Sequence, residues 1–273
     1  LNHDASALYQ THAHAIAAMN PKIANWRGLR VWVVGASTGI GAATARHLLS
    51  LGARVALSAR NASALQEIAA SGGQALVLPL DVTHRTQLLQ ARDQLLSEWQ
   101  GLDLVLLVSG VYREMRADAI DIPAVEQMLD VNLRSVFHAI DAVMPTLLAQ
   151  GNGGIGIVSS VAGFGGLPRA LGYGPTKAAL INLAETLYLD VHEKGVGVYL
   201  INPGFVDTPA TKQNDFEMPA LISAQQAAEN IVRGIEQGEF HIHFPRRFTN
   251  WLRFAQLLPY RWYFWLIHKV TGL

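Results

Sequence analysis

Tyr173 and Lys177 stand four residues apart in the run Tyr-Gly-Pro-Thr-Lys, and Ser160 lies thirteen residues before the tyrosine. On a helix, residues i and i+4 share a face, so the phenol and the ammonium point into the same space. A nearby ammonium favours the phenolate and brings the tyrosine pKa down toward working pH. A tyrosine tuned in this way gives or takes a proton at an alcohol or carbonyl oxygen. A Tyr-x-x-x-Lys pair alone is a weak signal. Its weight depends on the elements that must position it.

The strongest of these is near the amino end. Residues 29–34 read Leu-Arg-Val-Trp-Val-Val, an apolar run suited to a buried parallel strand. Gly35-Ala-Ser37-Thr38-Gly39-Ile40-Gly41 follows at once, and residues 42–51 read as a helix closed by Gly52. Strand, glycine loop and helix in this order form a dinucleotide-binding turn. The glycines let the backbone approach a pyrophosphate, which rests on the helix N-terminus.

The loop spacing is Gly-x-x-x-Gly-x-Gly. Together with Asn132, Ser160 and Tyr173-x-x-x-Lys177, it closely resembles the short-chain dehydrogenase/reductase family over residues 28–244. A second strand, 54–59, ends at Ala59-Arg60. An acid there would bond the ribose 2′-hydroxyl and repel a 2′-phosphate. Arginine instead matches phosphate geometry. The expected cofactor is therefore NADP(H) in preference to NAD(H), with Arg60 as the main phosphate partner and Ser37 as its helper.

The resemblance implies further roles. Asp81 reaches the adenine and Val82 packs near it, although Asp81 also suits an N-cap for a helix starting near Arg85. Family members usually have Asn-Asn-Ala-Gly where this chain has Leu107-Val108-Ser109-Gly110; Gly110 still permits close approach to the cofactor. Asn132, on a long helix, holds a water that relays protons from the lysine. Ser160 orients the substrate, and Ser159 is its structural neighbour. The loop Asn202-Pro203-Gly204-Phe-Val206-Asp-Thr208 lies against the nicotinamide, with Val206 and Thr208 holding the carboxamide. Tyr173 protonates the substrate oxygen as hydride reaches carbon, and Lys177 lowers the tyrosine pKa and binds the ribose.

The rest of the chain bounds these readings. Twenty-one basic and 21 acidic residues balance, which argues against a nucleic-acid partner. The absence of cysteine excludes disulfides and thiolate metal sites. The ten histidines show no metal-site grouping; His12-x-His14 and His241-x-His243 read as solvated or packed. Strands at 75–80, 104–108, 155–159, 196–201 and 240–244 alternate with helices. The expected fold is a Rossmann-like, doubly wound α/β domain over residues 26–245, with a seven-stranded, mainly parallel sheet.

Residues 1–25 read as a leader or tail, without a secretory signal pattern and with Met19 as a natural start. Residues 246–273 differ from both. They hold Arg246, Arg247, Arg253, Arg261 and Lys269, no acid, and a crowd of aromatic rings split by Pro259. That composition suits an amphipathic segment lying on anionic lipid, and equally a helical flap over the substrate pocket or a subunit partner. The helices around 131–148 and 178–192 carry apolar stretches broader than one buried stripe, which by resemblance pair in a homodimer or homotetramer.

Two functions fit. The first is an NADP(H)-dependent oxidoreductase acting on a hydrophobic carbonyl or alcohol. The second is a catalytically silent NADP(H)-binding regulatory or scaffold protein. The expected location is cytoplasmic, extending to a peripheral place on the inner face of a membrane.

Overall fold

Four consecutive apolar residues after Arg30 have no polar face to show water, so they must be covered on both sides. In the computed structural model, which describes residues 18–212 and 218–271, they form the inner strand β1 (Arg30–Val34). The chain continues as α1 (Gly39–Ser50), β2 (Arg54–Ser58), α2 (Ala62–Ala69), β3 (Gln74–Val77), α3 (Arg85–Trp99) and β4 (Leu104–Leu107). Next come α4 (Ile122–Leu129), α5 (Ser135–Gln150), β5 (Gly154–Val158), α6 (Tyr173–Val191), β6 (Gly197–Pro203) and the short pair β7 (Val206–Asp207) and β8 (Ile222–Ser223). The chain then forms α7 (Ala224–Glu236), β9 (His241–Phe244), α8 (Arg246–Ala255) and α9 (Tyr260–Thr271).

Seven strands form one sheet in the order β3-β2-β1-β4-β5-β6-β9, and every neighbouring pair is parallel. Successive residues point to opposite faces, which gives two cores. Trp32 and Val34 pack with α3, α5 and α6, whereas Val31 and Val33 pack with α1, α2 and α7. The strand order reverses between β1 and β4. In such sheets the crevice outside the carboxyl ends of the strands at the reversal is where ligands bind.

The segment before β1 is attached to the body through Asn20. Asn20 is 4% exposed; its amide donates to Val198 O (2.7 Å) and accepts from Val198 N (2.9 Å). β9 pairs with β6 only from Leu200 onward, so Asn20 satisfies the backbone of Val198. Residues 1–17, including His12 and His14, lie outside the described residues. Asn132, expected within a long helix, sits in a π-helical turn (Asp130–Arg134) joining α4 to α5.

The carboxyl-terminal segment forms two helices divided at Pro259. A third, small core of Ala255, Tyr263 and Ile267, with Leu167, Leu258 and Leu266 against it, attaches them to the body.

Candidate active site

Tyr173 opens α6, and Lys177 follows one turn later. The start of α6 is locked to the end of β5. Ser159 Oγ donates to Lys177 O (2.7 Å), and a Cβ at Gly163 would fall 2.7 Å from the Lys177 carbonyl carbon. Lys177 is 3% exposed. Its Nζ donates to Val158 O (3.0 Å) and lies 5.5 Å from the centre of the Tyr173 ring. Ser160 hydrogen-bonds the Tyr173 hydroxyl, and its own Oγ accepts from Ala162 N (3.1 Å). The turn-capping and tyrosine-facing roles of Ser160 therefore coexist. Tyr112 meets Tyr173 edge-on at 5.1 Å.

Asn132 ties this floor together. Its Oδ1 accepts from Val111 N (2.7 Å), and its Nδ2 donates to Val111 O (2.9 Å) and Thr176 Oγ1 (3.2 Å). Thr176 Oγ1 in turn donates to Tyr173 O (2.7 Å). The asparagine thus joins the segment after β4 to the first turn of α6. A Cβ at Gly110 would lie 3.6 Å from both Asn132 Oδ1 and Lys177 Nζ, an ordinary contact distance that places Gly110 beside both groups.

The electrostatics differ from the expectation drawn from spacing. Burial pushes the Tyr173 phenol up to about 12, against the opposing effect of its bond to Ser160. Burial also brings the Lys177 ammonium down to about 8. The low-dielectric surroundings penalise both charged forms, and the ammonium is directed at the Val158 carbonyl. At neutral pH the tyrosine is a protonated donor.

The glycine loop forms the other end of the same cleft. A Cβ at Gly41 would fall 2.1 Å from Gly35 O, and one at Gly35, whose φ is +100°, would fall 2.5 Å from Ser109 N. Neither position has room for a side chain. Thr38 precedes α1 without capping it through its side chain, which leaves the first-turn amides directed at the cleft. A single cleft of about 1320 Å³ is lined by Gly35, Ser37, Thr38, Gly39, Ile40, Gly41, Arg60, Asp81, Val82, Gly110, Ser160, Tyr173, Lys177, Pro203, Gly204, Val206 and Thr208. Asn132 stands just behind it.

At the far end, burial raises the Asp81 carboxyl, but bonds from Thr83 N and Oγ1 and the charges of Arg60 and His84 hold it below the usual carboxylate range. The residue capping α3 is His84, so the N-cap alternative for Asp81 does not apply. The 203–208 loop leans on the glycine loop, because a Cβ at Gly39 would meet Thr208 Cγ2 at 3.1 Å. Thr211 braces that loop by donating to Val206 O (2.6 Å).

Comparison with known proteins gives the family. The model of the short chain dehydrogenase family matches residues 30–218. This chain belongs to the short-chain dehydrogenase/reductase family. It is 34% identical to an uncharacterized oxidoreductase of Myxococcus xanthus over 231 residues, covering 83% of this chain and 91% of the relative. An uncharacterized oxidoreductase of Staphylococcus epidermidis is 33% identical over 75% of this chain and 90% of its own length. Among solved structures, a short-chain dehydrogenase/reductase from Burkholderia phymatum, in complex with NAD, superposes with a TM-score of 0.79. It is 22% identical, over 86% of this chain and 95% of that one. A Serratia marcescens short-chain dehydrogenase/reductase gives a TM-score of 0.71 at 26% identity, over 80% and 97% of the two chains.

Several residues around this cleft lie outside the motifs. Tyr112 falls in the 111–116 loop expected to line the pocket, and the fold brings it to Tyr173. His241, half-buried on β9, meets Asn202 Nδ2 at 2.8 Å, directly behind Pro203-Gly204. Burial, with the charges of His243 and Arg253, brings its imidazole down to about 3. The packed-histidine reading fits this placement. The cleft wall also includes Phe248, Trp251, Leu252, Ile267, Lys269, Val270 and Thr271 from α8 and α9. This placement is that of the helical flap over the pocket, one of the two readings its composition allowed.

Proposed function

We propose that the protein interconverts a carbonyl and an alcohol on a hydrophobic small molecule, with NADP(H) as cofactor and Tyr173 as the acid/base. The reading rests on one observation: Ser160, Tyr173 and Lys177 converge on the floor of the cleft that also holds the glycine loop and Arg60.

When bound, the nicotinamide cofactor supplies or takes the hydride. The 35–41 loop and the first-turn amides of α1 hold its pyrophosphate, and Arg60 with Ser37 holds the 2′-phosphate. Asp81 and Val82 take the adenine, Lys177 the ribose, and Val206 and Thr208 the carboxamide. Ser160 orients the substrate oxygen. Tyr173, protonated at neutral pH, gives its proton to that oxygen in reduction and takes it back in oxidation. Lys177 stabilises the tyrosine as its charge develops, and the Asn132 turn keeps the lysine in place and connects it to solvent. Leu167, Leu252, Ile267 and Val270 line the cleft with apolar surface, which favours a hydrophobic substrate.

The test is NADPH oxidation against a panel of aldehydes and ketones, run beside Tyr173→Phe. Tyrosine-dependent turnover on at least one is the expected result. No turnover on any, with tight NADPH binding, would favour the silent regulatory protein instead. We also propose pairing through α5 and α6, which expose Phe137 and Leu189 at 51% and 72%. Light scattering at micromolar concentration should give a dimer or tetramer, and a monomer mass would overturn this.

A further inference from the structure

We propose that the α8–α9 hairpin docks the protein on an anionic lipid surface and turns the mouth of the cleft toward it. The proposal rests on this surface and not on the reaction, so it stands or fails separately from the catalytic reading.

Helix α9 buries Tyr263 and Ile267 against the body. The opposite side carries Arg261, Trp265 and Lys269, all exposed. Tyr260, Trp262 and Phe264 are 79%, 60% and 59% exposed, and Phe254 and Leu257 continue the apolar surface onto the turn at 63% and 80%. Lys269 Nζ stands 5.1 Å from the Trp265 ring. Large aromatic and leucine side chains rarely share one monomer surface at such exposure without a partner. Rings that are apolar in body and polar at the edge suit the headgroup level of a bilayer.

Charge decides between occupants. Beyond Glu239 the chain has no acidic residue. Arg246 is paired back to Glu239, and Arg247, Arg253, Arg261 and Lys269 stay exposed around the aromatic surface. A second copy placed on this face would oppose cation to cation. Anionic headgroups attract every one of them. No helix among the described residues is long and apolar enough to cross a membrane, so the hairpin lies on the surface rather than spanning it.

The same hairpin forms the cleft wall. Trp251 and Lys269 belong both to the basic aromatic surface and to the cleft lining. Tyr263 Oη donates to Gly166 O (2.8 Å), which fixes α9 to the loop between Ser160 and Tyr173. A membrane bound to α8–α9 therefore lies beside the opening through which substrate enters.

The test is flotation of the full chain with vesicles of phosphatidylcholine alone, or mixed equally with phosphatidylglycerol. Binding is expected to the mixed vesicles only, and to weaken as salt is raised. Arg247→Glu/Arg261→Glu should weaken it roughly a hundredfold. Phe254→Ser/Leu257→Ser/Trp265→Ser should abolish it. Circular dichroism and NADPH binding, unchanged in both variants, establish that each is folded. The proposal is overturned if the wild-type chain stays with the soluble fraction at low salt, or if the charge-reversed chain floats as well as wild type. It is equally overturned if the serine variant floats normally but changes mass by light scattering, because the surface is then an interface between copies.

Discussion

The floor of the cleft and the hairpin that walls it are built in opposite ways. On the floor, the polar groups of Asn132, Thr176, Ser159 and Lys177 are buried and each has a named partner. Leaving one of them unpaired would cost about 1–3 kcal/mol, so the floor has one arrangement. The hairpin buries five residues, Thr249, Leu252, Ala255, Tyr263 and Ile267, and leaves most of its large rings in solvent. Full burial of a large apolar side chain stabilises by about 1.5–3 kcal/mol, and these few must also order a segment of two helices. A floor that must aim a proton needs rigidity. A wall that must admit or exclude a hydrophobic molecule can be held weakly. Perturbing the floor should therefore change the rate of chemistry, and perturbing the hairpin should change access.

The largest effect expected is at Tyr173. Tyr173→Phe removes the proton donor and keeps the ring against Tyr112, so kcat should fall by about 10²–10⁴ while NADPH binding stays near wild type. Residual turnover within a few fold of wild type would show that another group moves the proton.

Next is Arg60, at the far end of the cleft. Arg60→Ala should weaken NADP(H) by about 10- to 100-fold, the loss of one charge-assisted contact, and leave NAD(H), which lacks the 2′-phosphate, almost unchanged. Equal losses for NADP(H) and NAD(H) by titration calorimetry would remove the basis for the cofactor preference.

The third effect is in pH. The buried Lys177 ammonium titrates at about 8 and the Tyr173 phenol at about 12. Below the lower value the lysine is charged and the tyrosine protonated, as reduction requires. Above it the lysine loses its proton first. The kcat/KM for NADPH, which reports the free enzyme, should be level below pH 8 and fall by up to about tenfold per unit above it. A rate still level one unit above that point would separate the lysine charge from turnover.

The floor and the hairpin also differ in how far the sequence alone revealed them. Residues 31–34 and 104–107 are continuous apolar runs, and both became inner strands. The 35–41 loop and Tyr173-x-x-x-Lys177 are short-range patterns, and their residues line one cleft. The π-helical turn at Asn132 was hidden because its residue types suit an ordinary α-helix equally well. The anchoring role of Asn20 was hidden for a related reason: its bonds are to Val198, far along the chain. The ammonium's effect on Tyr173 was overestimated because spacing says nothing about burial, which dominates both groups. For the hairpin, composition showed an amphipathic segment but not what its inner side covers, since Leu167 and Gly166 lie about 100 residues away in the chain.

The smallest effect tests the hairpin's attachment directly. Tyr263→Phe keeps the buried ring and removes only the bond to Gly166 O. Such a bond contributes about 0.5–1.5 kcal/mol, and Gly166 has open space for water beside it. The hairpin should stay folded on the body but open more often. Access is then easier and the apolar wall less complete, so KM for hydrophobic substrates should rise by about two- to fivefold. The rate at saturation should not change, because Ser160, Tyr173 and Lys177 are held by β5 and α6 rather than by α9. Steady-state kinetics on the best substrate from the panel will separate the two outcomes. A fall in kcat with KM unchanged would mean that the hairpin helps to position the reacting groups, and the division between a rigid floor and a yielding wall would then be wrong.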